Sequence, residues 1–297
     1  MFRIGIVGSD NSHADAFSKL INIPDENGNY RYPDCRVTAI FGLEKERTEE
    51  VATNGKIEYI AEKVEDLYDK VDAVMIVFRH GGLHAQYAMP FLERGIPVWL
   101  DKPFTISNED CKMVMEASKK YNTILTGGST CKFAYDVLMV KHARENPESA
   151  RIGKIRSAMM NFPATLVNDY GGIYFYSGHL AEMAATAFGY DMKSVMATEN
   201  NGDVVAVLKY DNYQVVLNFL AEAAQNTVLV IGDKGVMYRE LDISFVYRLG
   251  VDEFVNTLRT GVIPVSHEKL YKTVALLNAV KESYETGKEV AICGIND

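Results

Sequence analysis

The fold is decided by residues 95–104, which read Gly-Ile-Pro-Val-Trp-Leu-Asp-Lys-Pro-Phe. The apolar run Val98-Trp99-Leu100 predicts a short buried strand that ends at Asp101 and Lys102. In open α/β sheets, ligands bind outside the carboxyl ends of the strands, so this charged pair is well placed for chemistry. Pro103 biases the backbone of Lys102 towards an extended conformation. An ordinary strand end with a solvated lysine fits the same window.

Strands and helices alternate on both sides of this segment. Apolar runs predict strands at residues 2–7, 36–41, 71–78, 97–100 and 121–127. Helical spacing predicts helices at residues 14–21, 45–52, 85–94 and 107–120. The alternation is typical of a doubly wound parallel sheet, so we predict an α/β domain of the Rossmann type over residues 1–127.

From about Gly128 the pattern changes. A helix is predicted at residues 178–188, and strand-like runs then follow one another with turns between them at residues 195–198, 204–210, 214–221, 227–231 and 236–239. This predicts an antiparallel meander. Helices return at residues 251–260 and 268–286. We therefore predict a second, α+β domain over residues 128–297 with a large open, mostly antiparallel sheet.

The composition excludes several classes of protein. Of the 297 residues, 47% are hydrophobic and 24% charged, and the formal net charge is -9. Because no Lys/Arg-rich run is present, nucleic acid is not an expected partner. No apolar run approaches the ~20 residues that span a bilayer, and the chain enters a strand at once without a signal peptide. The four cysteines are scattered. We therefore expect a cytoplasmic protein with reduced thiols and no membrane partner.

The turn after the first strand indicates nucleotide binding. It reads Gly8-Ser9-Asp10-Asn11-Ser12-His13, and a strand, a Gly-led turn and a helix begin the βαβ unit that binds dinucleotides. Gly8 fills the first position of G-x-G-x-x-G, whereas Asp10 and His13 stand at the second and third. An Asp at the second position adds bulk and negative charge beside a pyrophosphate. Helix capping alone would also explain these polar residues, although a helix N-terminus still offers N–H groups to an anion.

Two further features of the sequence concern the choice between NAD and NADP and the presence of a metal site. The acid that would hold a ribose hydroxyl is replaced by Gly42, with Glu44 two residues later, so either NAD or NADP fits. His80 and His84 are four residues apart, a spacing that metal ligands also show. Because no acid nearby in the sequence completes a ligand set, we predict no metal site.

These motifs, in this order, resemble those of the Gfo/Idh/MocA family, the glucose-fructose oxidoreductase and inositol dehydrogenase group. The phosphate turn of that family resembles residues 4–13, and its strand ending in Thr-Pro-Asn-x-x-His resembles residues 74–84, where His84 matches. The Glu-Lys-Pro signature resembles Asp101-Lys102-Pro103. The Gly-Gly…Gly-x-His-x-x-Asp element resembles residues 171–182, but Phe175 stands where the family usually has an Asp.

The resemblance implies an oxidoreductase that transfers a hydride between NAD or NADP and the carbinol or carbonyl carbon of a sugar, polyol or related small molecule. Lys102 is the expected proton acceptor, because a lysine buried beside a cationic nicotinamide has a lowered pKa. His179 is the second candidate, since we expect it at a helix start, where the dipole favours neutral imidazole.

The remaining site residues follow from the same comparison. The cofactor is expected to contact nine residues: Gly8, Ser9, Asp10, Asn11, Ser12, Phe78, Arg79, His84 and Asp101. The substrate is expected between the domains, at Lys102, Lys132, Tyr176, His179 and Glu182. The family also implies a homo-oligomer, a dimer or tetramer, assembled through the open C-terminal sheet.

Two other functions fit the same residues. One is a non-catalytic protein that senses a sugar or nucleotide on this fold, which Phe175 and the altered phosphate turn favour. The other is a non-redox enzyme that uses bound NAD transiently. Lys102 together with His179 favours catalysis over sensing.

Overall fold

The computed structural model describes residues 1–222 and 225–296. The chain forms two compact units. The first comprises Met1–Thr105, Glu109–Gly128 and Tyr247–His267, and the second comprises Ile106–Asn108, Ser129–Val246 and the described residues from Glu268 onward. The chain passes from one unit to the other close to residue 128, where the sequence pattern changes. The segment Tyr247–His267, which lies in the range predicted for the second domain, belongs to the first unit.

The first unit is built on a six-stranded sheet whose pairs are all parallel. The spatial order is β3-β2-β1-β4-β5-β6. The bounds are β1 Phe2–Val7, β2 Cys35–Phe41, β3 Tyr59–Ile60, β4 Ala73–Ile76, β5 Val98–Leu100 and β6 Leu125–Gly127. Every residue of β4 and β5 is buried, as expected for strands with both faces covered. The predicted Rossmann-type sheet is confirmed.

Four helices follow its strands: α1 Ser12–Asn22, α2 Lys45–Asn54, α3 His84–Glu93 and α4 Asn108–Tyr121. In α1, the buried residues Ala14, Phe17 and Ile21 recur at helical spacing, so one stripe of the helix lies against apolar neighbours. Short 3-10 turns cover Val64–Leu67 and Gly81–Leu83. Among the described residues, no helix combines the length and the apolar character needed to cross a bilayer.

The second unit is built on a seven-stranded sheet of order β12-β11-β7-β10-β9-β8-β13. The bounds are β7 Ile155–Pro163, β8 Ser194–Asn200, β9 Asp203–Lys209, β10 Gln214–Leu220, β11 Thr227–Gly232, β12 Val236–Glu240 and β13 Val290–Ala291. β7 and β10 are parallel, whereas the other neighbours pair antiparallel. The predicted mostly antiparallel sheet is confirmed. The simple meander is wrong at one step, because β7 lies between β10 and β11.

The remaining helices are α5 Tyr135–Glu145, α6 Ile173–Phe188, α7 Val246–Thr260 and α8 His267–Thr286, and a 3-10 turn covers Thr130–Phe133. Helix α5 was not predicted from the sequence, and the predicted start of α6 is too late. The side chain of Asn168 accepts the N–H groups of Tyr170 and Gly172 at 2.9 and 3.2 Å and donates to the Gly172 carbonyl at 2.9 Å. This turn allows the helix to begin at Ile173, directly after Gly172 at φ +63°.

Candidate active site

The turn between β1 and α1 requires a glycine at its first position. Gly8 has φ +104°, and a Cβ there would lie 2.8 Å from the backbone nitrogen of Phe78. The next side chain, Ser9, turns towards α2, where its Oγ lies 2.8 Å from Oγ1 of Thr48. Gly42 is needed for this contact, since a Cβ there would lie 2.1 Å from Ser9 Oγ. The turn is therefore closely packed against the ends of β2 and β4.

Asp10, which replaces the second glycine, is held by the chain after β4. Its Oδ2 accepts the backbone N–H of Arg79 at 3.1 Å. Burial raises the pKa of Asp10, and the hydrogen bond from Arg79 opposes that shift. The other oxygen, Oδ1, is buried without a hydrogen-bond partner among the described residues. The carboxylate is thus directed towards Arg79, and its negative charge is partly disfavoured.

The first turn of α1 contacts the end of β5. Asn11 is the N-cap, and its Oδ1 accepts the N–H of His13 at 3.2 Å and lies 3.5 Å from Ser12 Oγ. The Nδ1 atom of His13 lies 2.5 Å from Oδ2 of Asp101, and Asn11 Nδ2 donates to the same oxygen at 3.4 Å. His13, which stands at the third position of the phosphate turn, therefore belongs to this cluster.

Asp101 and Lys102 are buried, with 0% and 2% of their surface exposed. The alternative of a solvated lysine at an ordinary strand end is therefore wrong. Burial alone would raise the pKa of Asp101, but the charge and hydrogen bond of His13, and then the charges of Lys102 and His84, lower it below its usual value. Asp101 is therefore ionised at neutral pH. The peptide bond between Lys102 and Pro103 is cis.

His84 is fully buried and is held by backbone carbonyls. Its Nε2 lies 2.9 Å from the carbonyl oxygen of Phe78, and its Nδ1 lies 3.3 Å from that of Phe104. Burial lowers the pKa of His84. His80 caps the following 3-10 turn, because its Nδ1 accepts the N–H of Gly82 at 3.1 Å. In the described residues, no group of three or more His, Cys, Asp or Glu side chains is arranged to hold a metal ion.

A second cluster of predicted residues lies within the second unit. Lys132 Nζ donates to Oε2 of Glu182 at 2.7 Å, and both side chains are buried. Oε1 of Glu182 accepts the backbone N–H of Ser129 at 2.6 Å. The hydroxyl of Ser129 lies 2.7 Å from Nδ1 of His179. Three of the predicted substrate residues are therefore linked through Ser129, which was not predicted from the sequence.

His179 does not occupy the start of a helix. It lies in the second turn of α6, which begins at Ile173. The expected effect of the helix dipole on this imidazole is therefore wrong, since that effect falls off within the first turn. The ring is held instead by Ser129 and by Tyr176, whose ring lies 5.2 Å away in an edge-on arrangement.

Tyr176 is 39% exposed, the most accessible of the predicted substrate residues. The ring of Phe175 lies 4.9 Å from that of Tyr170 and 5.5 Å from that of Tyr176. Position 175 therefore provides aromatic packing where the resembled family has a carboxylate. Two hydroxyl oxygens close to this cluster in sequence, those of Thr130 and Ser177, are buried without a hydrogen-bond partner among the described residues.

Comparison with known proteins identifies the first domain. Residues 2–129 match the family described as oxidoreductases with an NAD-binding Rossmann fold, GFO_IDH_MocA. The first domain therefore matches the Gfo/Idh/MocA family. The resemblance that the sequence motifs indicated is therefore confirmed. The matched residues contain Gly8, Asp101 and Lys102, and they end at Ser129.

One relative of similar sequence is the uncharacterized oxidoreductase C26H5.09c of Schizosaccharomyces pombe, 21% identical over 215 residues. That match covers 67% of this chain, which spans only 58% of the length of the relative.

Two solved structures have the same fold over nearly the whole chain. GenD2 from gentamicin A biosynthesis, solved in complex with NAD, has a TM-score of 0.82 at 13% identity and covers 99% of this chain and 97% of its own. The scyllo-inositol dehydrogenase of Lactobacillus casei, with bound NAD(H) and scyllo-inositol, has a TM-score of 0.80 at 17% identity, with coverage of 98% and 99%. At these identities the likeness shows the fold.

Proposed function

We propose that the protein is an NAD-dependent oxidoreductase that transfers a hydride between nicotinamide and the carbinol or carbonyl carbon of a cyclic polyol or sugar. The observation that carries this proposal is the buried Lys102 beside ionised Asp101 at the carboxyl end of β5. Ligands of doubly wound sheets bind at this end of the strands. A cyclic polyol is the substrate class we favour, because a structure of the same fold was solved with NAD(H) and scyllo-inositol.

The turn after β1 fits a dinucleotide. Gly8 leaves no room for a side chain beside Phe78, so only backbone lines that part of the turn. Asp10 holds one carboxylate oxygen against the N–H of Arg79, which lessens but does not abolish its repulsion of a phosphate there. The residues we propose for the cofactor are Gly8, Ser9, Asp10, Asn11, Ser12, Phe78, Arg79, His84 and Asp101.

The chain after β2 favours NAD over NADP. A 2′-phosphate requires a cation near the end of this strand. The guanidinium of Arg47 is already engaged, because it pairs with Asp15 and Glu50 and donates to the carbonyl of Ser9. Glu44, which follows Gly42 closely, would repel a phosphate and could accept hydroxyl hydrogens instead. We therefore propose NAD as the cofactor.

The chemistry requires a group that takes the hydroxyl proton. Bound nicotinamide supplies the hydride acceptor. Lys102 is the group we propose for the proton, because its amine belongs to a buried side chain at the carboxyl end of β5, where ligands of such sheets bind. His179 is the second group we propose, now on the ground that Ser129 fixes its ring. Lys132, Tyr176 and Glu182 are proposed to bind substrate hydroxyls.

We also propose that the protein is a dimer or tetramer assembled through the C-terminal sheet. Three large apolar side chains of β11 and β12 are exposed: Ile231 at 43%, Val236 at 63% and Tyr238 at 52%. Ile231 pairs with Val236 in the sheet, so these residues form one apolar patch. Light scattering with size-exclusion chromatography tests this, and V236K/Y238K should lower the mass of the particle.

Titration of Trp99 fluorescence tests cofactor binding. Trp99 lies in the middle of β5, two residues before Asp101, so a bound nicotinamide should change its emission. We expect a saturable change with NADH and a much weaker one with NADPH. Incubation with NAD and a panel of inositols and sugars should then produce NADH. Binding of NADH without turnover of any polyol would contradict catalysis and favour the sensing function.

The sensing function has one observation in its favour. Phe175 is packed between Tyr170 and Tyr176, so a carboxylate that the family normally has is absent from this position. A sensor would bind polyol with an affinity that calorimetry detects. It would show no turnover with NAD and polyol that the Lys102→Met substitution could reduce.

A further inference from the structure

A buried hydroxyl links the 3-10 turn after β6 to the imidazole on α6. Ser129 caps this turn, because its Oγ accepts the backbone N–H of Cys131 at 3.1 Å. The same Oγ lies 2.7 Å from Nδ1 of His179. The exposed fractions of Ser129 and His179 are 0% and 6%. The hydroxyl therefore lies between a backbone donor and a ring nitrogen that donates in one tautomer and accepts in the other.

The backbone of Ser129 is held on both sides of this hydroxyl. Its N–H donates to Oε1 of Glu182 at 2.6 Å, and its carbonyl accepts the N–H of Lys132 at 3.4 Å. Lys132 and Glu182 also form the buried ion pair. The ring of His179 lies 5.6 Å from that of Phe162. The contact between Oγ and Nδ1 thus joins two groups that their neighbours hold in place.

The direction of this hydrogen bond follows from the hydrogens available. Oγ has one hydrogen to donate, and among the described residues Nδ1 of His179 is the acceptor that it meets. If Nδ1 carried a proton, Oγ would accept from both Nδ1 and Cys131, and its own hydrogen would be buried without an acceptor, which is costly. An unprotonated Nδ1 satisfies both groups. A hydroxyl that already accepts an N–H is also the stronger donor.

The helix that carries His179 does not supply this contact. Residues four apart lie on the same face of a helix, so position 175 is one from which α6 could reach the imidazole. The phenylalanine there has no hydrogen-bonding side chain, and its ring lies against those of Tyr170 and Tyr176. The hydrogen bond to Nδ1 comes instead from Ser129, in a different element.

We propose that Ser129 is a positioning residue that fixes the tautomer of His179: its hydroxyl donates to Nδ1, so the neutral imidazole carries its proton on Nε2. In this tautomer the ring donates a hydrogen bond from Nε2 and does not accept a proton there. The use of this tautomer in catalysis rests on the proposed function. Of the two groups proposed for the hydroxyl proton, it leaves Lys102 to take the proton and makes His179 a donor.

The tautomer is read from the ring nitrogens by NMR of protein labelled with [15N]histidine. The spectra are recorded about two pH units above the ordinary imidazole pKa, so that the rings are neutral. The signals of His179 are assigned by their loss in His179→Gln. Because an unprotonated ring nitrogen and an N–H nitrogen differ widely in chemical shift, the two tautomers are distinguished directly. We expect the wild type to show Nδ1 unprotonated and Nε2 protonated.

Three variants separate the hydrogen bond from packing. Ser129→Ala removes the hydroxyl, so the shift of Nδ1 should move towards the N–H value as the second tautomer becomes populated. Ser129→Thr keeps a hydroxyl and should keep the wild-type shifts. Thr130→Val is the matched control, because the hydroxyl of Thr130 is equally buried but has no hydrogen-bond partner among the described residues. It should leave both shifts unchanged.

The proposal is overturned if Nδ1 carries the proton in the wild type, or if Ser129→Ala leaves both nitrogen shifts of His179 unchanged. If Ser129→Ala fails to fold, the wild-type spectrum still decides, since it shows which nitrogen is protonated. With NAD and a polyol that is turned over, Ser129→Ala should lower kcat about tenfold and leave the KM for NAD unchanged. Because the NMR experiment needs neither cofactor nor substrate, a missing turnover would contradict the proposed function and leave the tautomer tested separately.

Discussion

Lys132 and Glu182 form a buried ion pair, with Nζ 2.7 Å from Oε2. The 3-10 turn that follows β6 provides the lysine, and α6 provides the acid. Because Glu182 also accepts the N–H of Ser129, one carboxylate ties this turn to the helix that carries His179. The predicted substrate residues of the second unit are thus held by an interaction that water does not screen.

Glu182→Gln should therefore destabilise the fold strongly. The variant keeps an acceptor for Ser129 but leaves the ammonium of Lys132 buried without its counter-charge, which costs about 3–5 kcal/mol. Urea unfolding measures the free energy. Glu148→Gln is the matched control, because Glu148 pairs with Lys234 at the surface and its loss should leave the midpoint unchanged. Equal midpoints for the two variants would contradict the buried pair.

Gly8→Ala should disturb both stability and nucleotide binding. The new Cβ would meet the backbone of Phe78 at 2.8 Å in a positive-φ conformation. Gly95→Ala is the control, since Gly95 has φ +73° but a Cβ there would meet no atom within 4 Å. We expect the first variant to lose about 1–3 kcal/mol more than the second, by chemical denaturation, and to bind NADH more weakly. Similar losses of unfolding free energy in the two variants would contradict this prediction and show that the backbone of Phe78 moves to accommodate the new Cβ.

Asp10→Asn should tighten nucleotide binding. Asparagine keeps an oxygen for the N–H of Arg79 but removes a negative charge from the phosphate turn. At an effective dielectric constant near that of a protein surface, relief of this repulsion is worth about 1 kcal/mol, roughly a fivefold lower Kd for NADH by calorimetry. Asp10→Ala, which also loses the bond to Arg79, should not show this gain. A weaker affinity for Asp10→Asn would mean that the carboxylate itself binds the cofactor.

His84 should make the fold sensitive to acid. Burial lowers its pKa, so the folded state favours the neutral ring. This contribution to stability is present above the unfolded pKa of about 6.5 and is lost as the pH falls from there towards the lower folded value. His84→Gln, which can still donate to Phe78, should flatten the fall in unfolding free energy below that pH. His142→Gln, at an exposed site, should leave the slope as in wild type.

Local sequence patterns predicted five of the six strands of the first sheet, because these strands are largely apolar runs bounded by turns. The two-residue strand β3 was missed, and Tyr247–His267 was placed in the wrong unit. The bounds of β1, β2 and β5 lie within a residue of those predicted. Helix α5 was missed, since its buried Val137 and Val140 lie in a continuous apolar run, Val137-Leu138-Met139-Val140, that shows no helical spacing. The order of the second sheet also depends on long-range pairing, and no local signal places β7 between β10 and β11.

The sequence predicted most residues of the candidate site but not the contacts between them. Lys102, His179 and Glu182 were identified from motifs, but His13 and Ser129 were missed as site residues. Their partners, Asp101 and His179, are 88 and 50 residues away in the sequence. The one available signal for His13 was that two departures from the family pattern occur together. The early start of α6, which moved His179 into the second turn, depended on the side-chain turn of Asn168.

The most direct test of the proposed function is turnover by the wild type and by Lys102→Met in the presence of NAD and an inositol panel, followed by the absorbance of NADH. We predict that the wild type reduces NAD with at least one cyclic polyol. Lys102→Met should bind NADH with nearly unchanged affinity, by Trp99 fluorescence, but lose turnover by about 100-fold or more. A variant that turns over at the wild-type rate would contradict the assignment of Lys102 as the proton acceptor.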